Sequence, residues 1–354
     1  MRKLNNILIT GGAGFIGSNF IRHTFDSDFD GRIINVDKLT YAGNLENLQA
    51  VKSRYGGKRY FFERADIGEY ETIRELIRRY HIDTVVHFAA ESHVDRSIYG
   101  PKEFMQTNIL GTFSLLEAVR ERWSERDDVL FHHISTDEVY GSLGSDGFFY
   151  EHTPYAPRSP YAASKASSDH LVMAYHHTYG IPVTLTNCSN NYGPYQFPEK
   201  LIPLMILRMM EEKSLPVYGD GKHVRDWLYV DDHSAALWLV LRQGIIGEPY
   251  NIGGESECEN IKLVEMLCDK MDLAMGKEAG HYRQLITSVQ DRPGHDRRYA
   301  LNCDKIKREL GWKRTVSLDA GLDRTIRWYR ENGEWLKRVQ SGEYRQWIER
   351  HYHQ

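Results

Sequence analysis

Two short stretches hold side chains whose types and spacing could carry acid–base chemistry. The first is Ser135-Thr136-Asp137-Glu138-Val139-Tyr140-Gly141, which follows Val129-Leu130-Phe131-His132-His133-Ile134 and reads as a buried strand opening into a glycine-terminated loop. The second is Tyr161-Ala162-Ala163-Ser164-Lys165, in which the tyrosine and lysine stand four apart and share one face of a helix. A lysine one turn below a tyrosine stabilises the phenolate and lowers its pKa, giving a base that works near neutral pH. Asp137 and Glu138 are adjacent, and like charges so close split their pKa values, one ionised and one holding a proton. The loop therefore offers a carboxylate base and a carboxylic acid in one cycle. Either stretch alone reads better as a solvated acidic turn or a helical surface pair. Together, downstream of a nucleotide fingerprint, they favour chemistry.

The elements that position these groups start with Ile7-Leu8-Ile9-Thr10, a buried strand that runs into Gly11-Gly12-Ala13-Gly14-Phe15-Ile16-Gly17 and a helix to about residue 25. Glycines at 11, 14 and 17 permit a tight turn and let the backbone approach a pyrophosphate at the positive end of the helix. The next strand, residues 32–37, ends in Asp37, 20 residues after Gly17. An acid there hydrogen-bonds ribose hydroxyls and repels a 2′-phosphate, favouring NAD over NADP, a preference that Lys38 weakens slightly. Strands at 60–66, 84–90, 129–135 and 182–186 alternate with helices at 70–80, 101–122 and 161–179. This alternation predicts an α/β fold, a doubly wound parallel sheet of Rossmann type. Ligands of such sheets bind at the carboxyl ends of the strands, which brings 11–17, Asp37, Asp66, 89–92, 136–138 and 187–192 to one crevice.

Past Tyr192 turn residues cluster, and short helices are expected at 201–213 and 261–271, so a smaller substrate-binding lobe is placed there. The segment 225–232 with the apolar helix after it returns the chain to the first lobe. Arg225 and Arg292 stand beside turns, where guanidinium forks suit a diphosphate; salt bridges to Asp226 and Asp291 are an equally good reading. The tail 328–354 reads as helical and charged, its Trp and Tyr residues packing.

At 354 residues with 41% hydrophobic and 27% charged residues, the chain has the size and composition of a soluble two-lobed globular protein. A net charge of -4 argues against nucleic acid. No apolar run reaches the roughly 20 residues of a membrane helix, and the N-terminus does not read as a signal peptide. The four cysteines lack metal or disulfide spacing and the 16 histidines include adjacent pairs that share no helical face, so no metal is expected.

These motifs together resemble the extended short-chain dehydrogenase/reductases and, within them, the sugar-nucleotide 4,6-dehydratases. The likeness covers essentially the whole chain, through residues 10–17, 89–95, 135–141, 159–161, 187–194, 197–200, 225–227 and 291–296. The dinucleotide turn and the Tyr/Lys pair mark only the superfamily. Asp137-Glu138 is the specific element, because the related epimerases carry small or apolar residues there. The loop 142–157 is shorter than in many members and removes no motif. The resemblance implies a redox-neutral dehydration of dTDP-glucose to its 4-keto-6-deoxy form. Tyr161 takes the 4-hydroxyl proton as hydride passes from C4 to NAD; Lys165 holds the phenolate and Thr136 the 4-oxygen. Glu138 then removes the C5 proton, Asp137 protonates the departing 6-hydroxyl, and the hydride returns to C6. The resemblance puts Gly11, Gly14, Phe15, Ile16, Gly17, Asp37, Lys38, Leu39, Thr40, Asp66, Ile67, Phe88, Ala89, Ala90, Ser92, Thr107, Tyr161, Lys165 and Asn191 around NAD. It puts Ser92, Thr136, Asn190, Lys200, Leu201, Pro216, Val217, Tyr218, Arg225, Asn260, Arg292 and His295 around the sugar nucleotide. Residues 1–187 plus about 225–252 would form the NAD-binding domain, and about 188–224 plus 253–354 the sugar-nucleotide lobe. A cytoplasmic homodimer joined through helices near 102–122 and 161–179, feeding deoxysugar synthesis such as that of dTDP-rhamnose, is the further expectation. The alternatives are a UDP-sugar 4-epimerase, a UDP-glucose 4,6-dehydratase and, more distantly, a non-catalytic NAD-sensing protein.

Overall fold

Ile7, Leu8 and Ile9 are each fully buried, and successive side chains of a strand point to opposite faces. This strand must therefore be covered on both sides. The computed structural model describes residues 1–123, 126 and 128–340. In it β1 (Asn6–Thr10) is an interior strand of a seven-stranded sheet with β2 (Arg32–Val36), β3 (Tyr60–Glu63), β4 (Thr84–His87), β5 (Leu130–Thr136), β6 (Val183–Cys188) and, last in the chain, Pro249–Ile252. Every neighbouring pair is parallel, in the order β3-β2-β1-β4-β5-β6 and then Pro249–Ile252. The doubly wound sheet expected from the alternation is what forms. Ile7 and Ile9 join one apolar core with Phe20, Trp238 and Trp312, and Leu8 joins a second with Leu115, Val119 and Val172. These are the two faces of the sheet.

The strands at 60–66 and 84–90 stop earlier than the sequence suggests, at Glu63 and His87. The backbone beyond turns away into the crevice, which frees 65–67 and 88–92 to line it. The helix expected over 101–122 is continuous to Trp123, with a π-helical stretch, Met105–Gly111, in its middle. Helices Leu201–Met210 and Asn260–Met275 stand where short helices were expected, the first shorter and the second longer.

The second lobe has its own core, centred on Ile206, Leu263, Leu267 and Tyr329. Two small sheets belong to it: β7 (Asn190–Tyr192), β9 (Val224–Tyr229) and β11 (Glu257–Glu259) form one, and β8 (Leu215–Tyr218) with β12 (Ile286–Val289) the other; Pro249–Ile252 is β10. The segment 225–252 divides between the lobes. β9 pairs with β7 and β11, whereas helix Val230–Gln243 lies on helix Phe15–Asp26, where Asn19 Nδ2 donates to Asp231 Oδ1 (2.8 Å) and Ser234 Oγ to Asn19 Oδ1 (2.6 Å). Tyr299, Leu301, Cys303, Ile306 and Trp312 likewise pack in the first core. At the end of the chain Trp328 and Trp335 pack together at 5.0 Å and Trp335 Nε1 donates to Asn47 Oδ1; residues 341–354 of the expected helical tail lie outside the described residues. Among the described residues no helix is long and apolar enough to cross a membrane.

Candidate active site

The two stretches meet because each is capped by its own sequence. Thr136 ends β5 and caps a 3₁₀ turn, Asp137–Tyr140, its hydroxyl accepting from Glu138 N at 3.3 Å. The turn closes at Gly141 with φ 89, where a Cβ would stand 2.5 Å from the Ala156 carbonyl oxygen, so glycine is required. Ser159 caps helix Pro160–Tyr179 by accepting from Ala162 N, with Pro160 in the first turn. Tyr161 therefore sits at the helix mouth, facing the β5 turn, and Lys165 lies one turn deeper.

Thr136, Asp137, Glu138, Tyr161 and Lys165 all line one cleft of about 320 Å3. Thr136 Oγ1 donates to Asp137 Oδ1 at 3.0 Å. Burial pushes the Asp137 carboxyl well above the usual range, and the neighbouring Glu138 adds to the rise. Burial also raises Glu138, but Arg292, Arg225 and Lys200 draw it back. Burial and Glu138 thus bind the proton more tightly to Asp137, whereas three cations ease its loss from Glu138. Asp137 Oδ2 is buried and without a partner among the described residues, on a side chain that lines the cleft.

The Tyr/Lys pair departs from expectation in one respect. Burial pushes the Tyr161 phenol well above its usual range, and Glu138, Cys188 and Asp137 add to the rise. Lys165 Nζ donates to the Ile134 carbonyl at 2.8 Å and stands 3.4 Å from His133 Nε2. In this state desolvation and neighbouring negative charge decide the phenol, and the lysine is anchored on β5.

The same cleft extends over the glycine turn. Gly11, Gly14, Phe15, Ile16, Gly17, Asp37, Lys38, Thr40, Asp66, Ile67, Phe88, Ala89, Ala90, Ser92, Thr107 and Asn191 line it. Leu39, expected with them, does not; its backbone N–H donates to Asp37 Oδ1, so it serves through its main chain. Helix Phe15–Asp26 starts at Gly14 with no side chain capping it and no acid in its first turn, a free positive end that fits a pyrophosphate. Asp37 accepts from Ala13 N and Leu39 N and stands at the cleft. Lys38 is paired with Asp66 at 2.7 Å, so its charge does not offset Asp37. The residues present fit NAD.

Of the residues expected around the sugar nucleotide, Ser92, Thr136, Asn190 and Lys200 line this cleft. Leu201, Pro216, Val217, Tyr218, Arg225, Asn260, Arg292 and His295 do not; they lie in the second lobe. Arg225 and Arg292 nevertheless act electrostatically on Glu138. Neither arginine makes the salt bridge weighed from sequence. Arg225 Nη2 donates to the Asp296 carbonyl and its guanidinium stacks 4.3 Å from the Tyr299 ring. Arg292 Nη1 donates to Asp95 Oδ1 at 3.1 Å, and Tyr218 donates to the other oxygen of Asp95 at 3.0 Å. Asp226 and Asp291 bind elsewhere, the first to Gly254 N and Ser256 N, the second to His295.

Several residues of the site carried no local signal. Asn108, in the π-helical stretch, accepts from Glu91 N and donates to Glu91 O and Ser164 Oγ, tying the loop after β4 to the Tyr161 helix. Glu199 lines the cleft and accepts from the Tyr41 hydroxyl at 2.9 Å. An asparagine inside a helix, poor there by propensity, is the only hint the first one gives.

A parallel Rossmann-type sheet, with a tyrosine–lysine pair and an adjacent acid pair at its crevice, defines the class of dinucleotide-binding sugar-nucleotide enzymes. A family profile described as GDP-mannose 4,6 dehydratase matches residues 8–325. A dTDP-glucose 4,6-dehydratase of Shigella flexneri is 54% identical over 360 residues, spanning 98% of both chains. Crystal structures of dTDP-glucose 4,6-dehydratases from Bacillus anthracis, in complex with NAD, and Streptomyces venezuelae, with NAD bound, superpose with TM-scores of 0.84 and 0.87. They are 46% and 45% identical, cover 95% and 94% of this chain, and are each covered to 99%. The chain belongs to the dTDP-glucose 4,6-dehydratase family.

Proposed function

We propose that the protein converts dTDP-glucose to dTDP-4-keto-6-deoxy-glucose, as a hydro-lyase that uses NAD and consumes none. The observation that carries this is the pair of buried Asp137 and half-buried Glu138 beside Tyr161 and Thr136 in the same cleft as the glycine turn. An epimerase needs the phenol alone; expelling water needs an acid and a base as well. When bound, NAD supplies the hydride acceptor, later the donor, and a positive charge that with Lys165 draws the proton off the Tyr161 phenol.

The chain's own groups do the rest. Tyr161 accepts the sugar 4-hydroxyl proton while Thr136 fixes that oxygen. The carbonyl formed at C4 acidifies C5, whose proton Glu138 removes. Asp137, holding a proton because it is buried against Glu138, delivers it to the departing 6-hydroxyl. Lys200, Arg225 and Arg292 grip the diphosphate, with His295, Asn260 and Tyr218 about the nucleotide. The cofactor residues are those of the cleft with the Leu39 main chain. The division of the chain into 1–187 with about 225–252 and about 188–224 with 253–354 goes with these roles, the first lobe holding NAD and the second the nucleotide, except that Val224–Tyr229 pairs within the second lobe and Tyr299, Leu301 and Trp312 pack in the first core.

We further assign a cytoplasmic homodimer that feeds deoxysugar synthesis such as the rhamnose route. Exposed Leu110 and Phe113 on one helix and Tyr179 on the other support pairing through helices 101–123 and Pro160–Tyr179. Incubation with dTDP-glucose and with UDP-glucose tests the whole reading. A 4-keto product with a 6-methyl group from the thymidine nucleotide supports it; a galactose epimer alone overturns it.

A further inference from the structure

Behind Lys165, on the side away from the cleft, lies a buried polar group that the proposed reaction does not use. Asp169 stands one helical turn beyond Lys165 and is 1% exposed; His133 on β5 is fully buried. His133 Nε2 is 3.4 Å from Lys165 Nζ and 3.1 Å from Asp169 Oδ1, so one ring nitrogen separates ammonium from carboxylate. The second carboxylate oxygen accepts from Ser135 Oγ at 2.6 Å. We infer that Asp169, held by Ser135 and joined through His133, is a positioning residue that supplies the counter-charge keeping Lys165 protonated.

The argument is electrostatic. A buried ammonium tends to lose its proton, and a facing carboxylate restores it. Burial is indeed the largest influence lowering Lys165, and Asp169 the largest raising it. Other titratable groups around the pair are His87 on β4, Tyr140 and Tyr155 after β5, His170 on the same helix and Cys188 on β6. Of these, His87 is held neutral by burial, and its ring sits 5.2 Å from that of His133. Tyr140, Tyr155 and Cys188 are pushed up and stay uncharged. None supplies the negative charge that Asp169 does.

This inference rests on the reading of Tyr161 and Lys165 as the base of the first oxidation. The test follows reduced-nicotinamide absorbance in single turnovers of the full-length holoenzyme with dTDP-glucose across pH. In Asp169→Asn the alkaline limb of the rate moves down by about one pH unit or more, since an opposite charge at this range shifts a pKa by 1–3. Cofactor content stays that of the wild type, and Asp169→Glu restores the limb in part. Ser135→Ala, which weakens the hold on Asp169, gives a smaller shift in the same direction and decides alone if Asp169→Asn does not fold. Profiles of folded variants that superpose on the wild type overturn the inference. A wild type that yields no 4-keto-6-deoxy product overturns the functional reading instead.

Discussion

At the scale of single residues, the site turns on how differently one environment treats two neighbouring carboxyls. Asp137 is raised by burial and by Glu138 with only Arg225 to offset them among cations, whereas Glu138 feels Arg292, Arg225 and Lys200. Asp137→Asn should therefore leave hydride transfer nearly intact and slow water loss by about 10²–10⁴-fold, the usual worth of a general acid; equal losses at both steps would contradict the assignment. Tyr161→Phe should cripple the first oxidation by a similar factor. The same shift has a sign in stability. A carboxyl raised by folding stabilises the native state fully only below its unfolded pKa, and that contribution is lost as pH rises toward its folded one. Asp137→Asn should thus melt higher than the wild type at neutral pH, since the wild type loses about 1.4 kcal/mol for each pH unit above the unfolded pKa until the folded one is reached, with the gap closing near pH 4. Thermal melts across pH would check it. The division between the acids was readable from their adjacency. The anchoring of Lys165 on Ile134 O was not, because a lysine four residues from a tyrosine on a helix can equally turn to the strand its helix packs on, and burial decides which.

At the scale of elements, the sequence is legible wherever the local pattern alone dictates the outcome. The strand, glycine turn and helix of residues 6–26 and the Ser159-Pro160 cap are of that kind. Strand ends were not: Phe88-Ala89-Ala90 is as apolar as the strand before it, and Arg64-Ala65-Asp66 holds no glycine or proline to end its strand, yet both segments leave the sheet to form the crevice. Nor was the pairing of Val224–Tyr229 with Asn190–Tyr192, which joins segments over thirty residues apart. The Asp137–Tyr140 turn makes a sharp case. Gly141→Ala must combine a positive φ with a contact far below van der Waals distance, so it should cost more than the ~1 kcal/mol of strain alone. It should also lower turnover more than cofactor binding, as read by urea denaturation and by retained NAD.

For the whole molecule, exposed apolar side chains point to the assembly. Leu110 is 59% and Phe113 45% exposed on a helix whose other face packs in the second core of the sheet. A charge there, as in Phe113→Glu, should give a monomer by light scattering while the monomer's fold, by circular dichroism, is unchanged. The lobes of one chain are joined by a smaller device, Asp95, which takes both Arg292 and Tyr218 from the far lobe. With Arg292 in its proposed role, an anionic side chain already occupies the guanidinium meant for the diphosphate, and loading becomes an exchange of one anion for another. Asp95→Asn should bind dTDP more tightly and with a steeper salt dependence, since the vacated cation then meets its guest without a rival.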